Sequence, residues 1–212
     1  MKICEIFTSI QGESTFAGRP CTFIRFSGCN LRCGYCDTKY SYDDGVEMES
    51  GDILDRVASA GVRLVEVTGG EPLLQGKETI SLVSELLDRG YEVLVETNGS
   101  VNIGELDKRA IVILDMKTPC SGMSHKMDMT NLGHLKSNDE VKFVICSRDD
   151  YEWSKKIIYH YGLEGRCEVL FSPAFGMLQP RELASWIIED RLRVRLNIQL
   201  HKYIFDPGER GV

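Results

Sequence analysis

The chain has 212 residues, 42% of them hydrophobic and 27% charged, a balance that supports a buried core and argues against global disorder. A net charge of −7, with acidic and basic residues interspersed and no run of five like charges, gives a phosphate backbone no basic footprint, so direct nucleic-acid binding is not expected. The first residues lack the apolar core of a secretory signal, and no apolar run approaches the roughly 18 residues of a membrane span; a cytoplasmic protein without a membrane segment is the expectation.

Along the chain, apolar β-branched runs at 22–27, 64–68, 92–96, 111–115, 141–146, 168–171 and 193–199 predict strands, several of them continuous enough to be covered on both faces. Between them, 52–60, 79–89, 151–161 and 181–189 place apolar residues at three- and four-residue spacing and predict helices. Asp52 opens the first of these, Gly61 follows it, Gly90 closes the second and Pro180 opens the last. Strand, helix and strand joined by short Gly-containing turns predict a mostly parallel sheet. About six core strands fall short of the eight of a closed TIM barrel, so the expected fold is α/β, an incomplete, TIM-like β/α barrel. No linker or repeat divides residues 1–212, which are read as one domain. Segment 118–138 is the least regular, and a mobile flap and a long surface loop are equally compatible with it.

Three of the eight cysteines, Cys29, Cys33 and Cys36, fall directly after the first predicted strand. Three and then two intervening residues let one loop wrap three thiolates around an inorganic core. A structural zinc would want a fourth ligand; no second CxxC exists, and His125 and His134 lie far off without ligand spacing. A 4Fe-4S cluster held by three thiolates keeps one iron open for a chelating ligand, unlike four-cysteine electron carriers. The other five cysteines, Cys4, Cys21, Cys120, Cys146 and Cys167, read as small buried residues. Thr68-Gly69-Gly70-Glu71-Pro72 closes the second predicted strand. There the glycines allow close backbone approach, and Glu71 suits either a loop anchor or a partner for an ammonium group.

CxxxCxxC with Tyr35 before its last cysteine, followed by GGEP, resembles the radical S-adenosylmethionine (SAM) superfamily. Ile10-Gln11-Gly12-Glu13, Phe23-Ile24-Arg25, Cys36-Asp37-Thr38 and Gln199-Leu200-His201-Lys202, in this order and over nearly the whole chain, resemble the 7-carboxy-7-deazaguanine synthase family within it. That resemblance implies a homodimer with an abbreviated β/α barrel. It implies conversion of 6-carboxy-5,6,7,8-tetrahydropterin to 7-carboxy-7-deazaguanine, on the route to the queuosine base of tRNA. The implied cofactors are a 4Fe-4S cluster, S-adenosylmethionine and Mg2+, with a flavodoxin- or ferredoxin-type electron donor.

Residue by residue, it implies that Cys29, Cys33 and Cys36 hold the cluster and that Thr38 ligates magnesium. Tyr35, Cys36, Asp37, Gly70, Glu71, Asp115, Met116 and Lys117 would contact the cofactor. Ile10, Gln11, Gly12, Arg25, Thr68 and His201 would contact the substrate, Arg25 at its carboxylate. Two departures stand out: Ser14 replaces a glycine of the family's QGEG, and 205–212 extend past the point where some members end. The competing readings are a glycyl-radical-enzyme activase, which shares the cysteine motif, and a non-catalytic iron–sulfur or zinc module.

Overall fold

The computed structural model describes residues Met1–Val212. Nine strands form one sheet: β1 (Lys2–Ile10), β2 (Pro20–Phe26), β3 (Val46–Glu47), β4 (Leu64–Gly69), β5 (Glu92–Thr97), β6 (Ile111–Met116), β7 (Glu140–Ile145), β8 (Glu168–Pro173) and β9 (Arg195–Leu196). Their order is β3-β1-β2-β4-β5-β6-β7-β8-β9, parallel from β2 to β9 and antiparallel only around β1. The edge strands β3 and β9 do not meet, so the barrel stays open, as the strand count predicts. The helices α1 (Ser50–Ala60), α2 (Lys77–Asp88), α3 (Asn131–His134), α4 (Arg148–Tyr161), α5 (Pro180–Asp190) and α6 (His201–Ile204) complete the chain. The four long ones sit within two or three residues of their predicted bounds. Gly61 and Gly162, in left-handed conformation, end α1 and α4.

The short elements β3, α3 and α6 were not predicted, and two longer runs differ from expectation. The strand β1 escapes a period-of-two reading because its register slips between Ile3 and Glu5, which breaks the inside–outside alternation. The run 193–199 is a strand only over Arg195–Leu196; beyond it the chain leaves the sheet, and Leu200 N–H donates to the Gly12 carbonyl at 2.8 Å. Segment 118–138 is anchored rather than free. Asn131 is fully buried, its amide donates to the carbonyls of Gly99 and Val101, and its oxygen accepts the Ile103 N–H.

Strand alternation divides the sheet into two chemically distinct faces. Ile24, Phe26, Val65, Val67, Val93, Val95, Val112, Leu114, Val141, Phe143, Val169 and Phe171 belong to the main core, together with Ile53, Val57, Leu82, Leu86, Tyr151, Ile158 and Leu183 of the helices. On the opposite face Cys21, Phe23, Leu64, Leu94 and Ile113 form a small plug. Further along the same strands, that face turns polar with Arg25, Glu66, Thr68, Glu96, Asp115 and Lys142. The expectation of strands apolar on both faces therefore holds only for their first halves. In the main core, Phe143 meets Phe171 edge-on at 5.7 Å and Trp153 at 6.4 Å, and Tyr151 meets Phe171 at 5.5 Å. Phe143→Ala should cost about 3–5 kcal/mol, read as a lower urea midpoint at unchanged denaturant slope.

Candidate active site

The C-terminal ends of the parallel strands open into a cleft of about 450 Å³, and its lining gathers most of the residues singled out in the sequence. The strand β2 ends at Phe26, and the chain turns through Gly28, at φ 93°, into the loop carrying Cys29, Cys33 and Cys36. The end of β4 lies directly against that turn. Gly70 N–H donates to the Phe26 carbonyl (3.1 Å) and Glu71 N–H to the Gly28 carbonyl (2.8 Å). A Cβ on Gly70 would stand 2.0 Å from the Gly28 oxygen, and Gly69, at φ 135°, would drive one into the Phe26 backbone. On its other side the loop rests on Ser121, whose carbonyl accepts the Gly34 N–H at 3.1 Å.

All three thiols are free and line the cleft, yet they are not gathered within 4.8 Å of one another, as the ligands of a single metal ion would be. A tetrahedral zinc with S ligands at ~2.3 Å draws its sulfurs to less than about 4 Å apart. The wider spacing and the lack of a fourth ligand fit a polynuclear cluster.

Facing the cysteine loop, the Lys117 ammonium pairs with Asp115 at 2.8 Å and stands 5.9 Å from the Tyr35 ring centre. Asp115 keeps one buried oxygen with no hydrogen-bond partner, an unusual state unless a ligand supplies the donor. Met116 differs from its neighbours: alternation turns its side chain to the other face, where it is buried in the main core, so the side chain does not reach the cleft. Glu71 also departs from a ligand role. It is fully buried, its carboxylate accepts the Leu73 and Asn98 N–H groups and the Thr97 hydroxyl, and it ties the end of β4 to the end of β5. Its carboxylate is thus the loop anchor, and it is Gly69 and Gly70 that line the cleft.

The early and late motifs close the other side. A Cβ on Gly12 would overlap His201 Nδ1 at 2.1 Å, so only glycine lets the histidine pack there. The Gln199 amide donates to Glu13 (2.9 Å), and the Lys202 ammonium pairs with Asp37, next to Cys36. Burial would push the Asp37 carboxyl up, but Lys202 holds it well below the usual carboxylate range. The Thr38 hydroxyl donates to Asp37 at 3.0 Å, and Thr38 faces the cleft. Burial lowers the His201 imidazole below its ordinary value, which favours the neutral ring. Ser14 takes φ 64°, a conformation native to glycine, and its hydroxyl accepts the Phe16 N–H at 3.0 Å. From the tail, Arg210 stacks 3.8 Å from the Tyr40 ring and Val212 lines the cleft, whereas Pro207 does not.

Arg25 points into the cleft rather than to the outer surface. Its Nε donates to Glu5 at 2.7 Å and its two terminal nitrogens have no protein partner. The floor beneath carries residues the sequence reading did not single out as site groups. The buried Lys142 ammonium meets Glu13 at 3.0 Å, Asp115 at 3.5 Å and Glu96 still closer, and Glu96 also accepts the Thr68 hydroxyl. Glu66 accepts the Gln11 amide; burial and the neighbouring Glu96 push its carboxyl far above the usual range. The signal was visible as single charges inside apolar runs, LVEVT, LVET and EVKFVI, where a strand covered on both faces would hold none.

The family model described as "Radical SAM superfamily" matches residues 23–166, which include the cysteine loop and GGEP. Over its whole length the chain is 46% identical to a 7-carboxy-7-deazaguanine synthase of Chlorobaculum tepidum, covering 97% of that protein. It is 40% identical to one of Koribacter versatilis, covering all of it. The chain belongs to the radical SAM superfamily and to its 7-carboxy-7-deazaguanine synthase family. The crystal structure of QueE from Escherichia coli superimposes with a TM-score of 0.80 over 94% of each chain at 23% identity, which bears on the fold. Gly12 and His201 fall outside residues 23–166 but inside these full-length alignments.

Two tests follow from the buried charges. Lys142→Met leaves Glu13, Glu96 and Asp115 facing one another and should cost about 3–5 kcal/mol. Burial pushes the Glu13 and Asp115 carboxyls up and Lys142 helps hold them down, so with the cation gone they rise above their unfolded value near 4, and the deficit should be small at pH ~4 and grow toward pH ~8. Urea midpoints at several pH values read this. Burial pushes the Glu71 carboxyl up to about 7. A raised acid contributes stability that is complete below its unfolded pKa and is lost as pH rises through the folded one, so wild-type stability should fall relative to Glu71→Gln between pH ~4.5 and 7.

Proposed function

We propose that this chain converts 6-carboxy-5,6,7,8-tetrahydropterin to 7-carboxy-7-deazaguanine with loss of ammonia, as a radical SAM enzyme on the route to the queuosine base of tRNA. One observation carries the reading: the cysteine loop and the two unpartnered terminal nitrogens of Arg25 open into the same cleft. A radical-generating centre and a carboxylate-binding fork therefore face one bound molecule. The full-length relatives support it, and no observation favours the activase or the non-catalytic module.

Cys29, Cys33 and Cys36 would hold the cluster, and three thiolates would leave it able to bind SAM. Gly70, Tyr35, Asp37, Lys117 and the unpaired oxygen of Asp115, which line the same cleft, would contact that cofactor. When bound, cluster and cofactor supply the electron and the carbon radical that takes a hydrogen atom from the substrate. The protein's own residues bind, orient and exclude water. Glu5 and Tyr40 hold the Arg25 fork in place, since the Tyr40 hydroxyl and Arg25 Nε both donate to one Glu5 oxygen. Ile10, Gln11 and Gly12 form one wall, and Gln11 is held there by its side-chain hydrogen bonds to Glu66 and to the Glu13 N–H. Thr68 and the neutral His201 complete the substrate pocket.

The Thr38 hydroxyl donates a hydrogen bond to Asp37 and lines the cleft, so its oxygen would be available to hold a magnesium ion, which would help orient the substrate carboxylate. A homodimer, a flavodoxin- or ferredoxin-type donor and action of the chain as one domain belong to the same proposal.

Anaerobically reconstituted protein, given reductant, SAM and the carboxytetrahydropterin, should develop the absorbance of the deazapurine and be stimulated by Mg2+; absence of that product sinks the assignment. Arg25→Lys, which loses the fork, should raise KM about 10- to 100-fold while SAM still perturbs the cluster EPR signal. Thr38→Val should abolish the magnesium stimulation with SAM binding intact.

A further inference from the structure

Two cysteines outside the cluster loop lie together at the rim. Cys120 sits in the turn Pro119–Ser121 that follows β6, and Cys146 directly follows β7, the parallel neighbour of β6. Cys120 is exposed, against the sequence expectation of a small core residue, while Cys146 is buried. Their sulfurs and a carboxylate oxygen of Asp150 all lie within 4.8 Å of one another.

Asp150, itself 1% exposed, fixes both backbones. One of its oxygens accepts the Cys120 N–H and the other the Cys146 N–H, each at 3.0 Å, from a position in the first turn of α4. Asp150 therefore acts as a clamp on both cysteine backbones, one oxygen to each. The clamp holds two neighbouring strand exits in a fixed relation, with the two sulfurs within 4.8 Å of each other. No other cysteine outside the cluster loop is grouped in this way.

We propose that Cys120 and Cys146 are a redox-active dithiol, oxidised to an intramolecular disulfide by low-molecular-weight disulfides. The exposed Cys120 thiolate attacks the S–S bond of the small disulfide, forms a mixed disulfide and releases one small thiol. Cys146 then gives up its proton and attacks the Cys120 sulfur, closing the protein disulfide and releasing the second small thiol. Two electrons pass from the protein thiols to the small disulfide. The turn that carries Cys120 is the one whose Ser121 carbonyl supports Gly34 of the cluster loop, so the bond would staple the platform beneath that loop.

The test uses reconstituted holoprotein under anaerobic conditions with oxidised glutathione, which spares the cluster that peroxide would attack. The expected product lacks two hydrogens by intact mass, yields a Cys120–Cys146 cross-linked peptide, keeps its cluster absorbance and reverts with dithiothreitol. Cys146→Ser should stop at a stable glutathione adduct on Cys120, because no resolving thiol remains, and Cys120→Ser should leave Cys146 unmodified. A persistent adduct on Cys120 in the unsubstituted protein overturns the proposal. So does cross-linking through Cys29, Cys33 or Cys36 instead, or tight zinc binding that protects both thiols. None of these readouts depends on turnover, so they stand or fall apart from the proposed substrate.

Discussion

Parallel strands deliver their C-terminal ends to one rim, and at that rim the backbone of Gly70 lies so close to the Gly28 carbonyl that no side chain fits between them. The contact brings the exit of β4 against the turn from which all three cluster cysteines spring. Glu71 extends it by taking its own N–H to Gly28 and its carboxylate to the end of β5. A three-cysteine loop has no regular secondary structure of its own, and here it borrows rigidity from three successive strands. On its far side the Ser121 carbonyl does the same from the turn after β6.

The second constraint is electrostatic. An inner barrel face with four carboxyl groups, Glu13, Glu66, Glu96 and Asp115, would be untenable without compensation. Lys142 sits among three of them, and burial together with the neighbouring Glu96 pushes the fourth, Glu66, far above the usual carboxylate range, which favours its uncharged form. The same residues that would be errors in a closed core become, in an open barrel, a polar floor on which a heterocycle rich in hydrogen-bonding edges can rest. The long helices cover the opposite face, where the aromatic contacts around Phe143 and Tyr151 supply the packing.

Much of this was legible in the sequence, since the parallel strands after β1 and the long helices are each encoded locally, by β-branched runs, apolar spacing and caps. What was missed follows from non-local causes. The strand β1 hides behind a register slip, and the last predicted strand is cut short because Leu200 pairs with Gly12, a partner no window on the sequence contains. The cysteine motif, Arg25 and the QGES and QLHK segments were readable as separate signals, and the structure brings them to one cleft. Glu71 and Met116 were misjudged for opposite reasons. A carboxylate in a ligand-binding motif can serve the loop rather than the ligand, and a motif residue on a strand has an even chance of facing away.

The Gly12–His201 clasp also bears on how the protein comes to be assembled. The cluster loop rests on segments that all lie within residues 1–121, and these can associate while later parts of the chain are still being synthesised. The substrate wall cannot. It awaits a contact between residue 12 and residue 201, among the longest loop closures in the molecule and so among the slowest to form. On the ribosome, the contacts of the cysteine loop with the ends of β4 and β5 can therefore form before the Gly12–His201 contact exists.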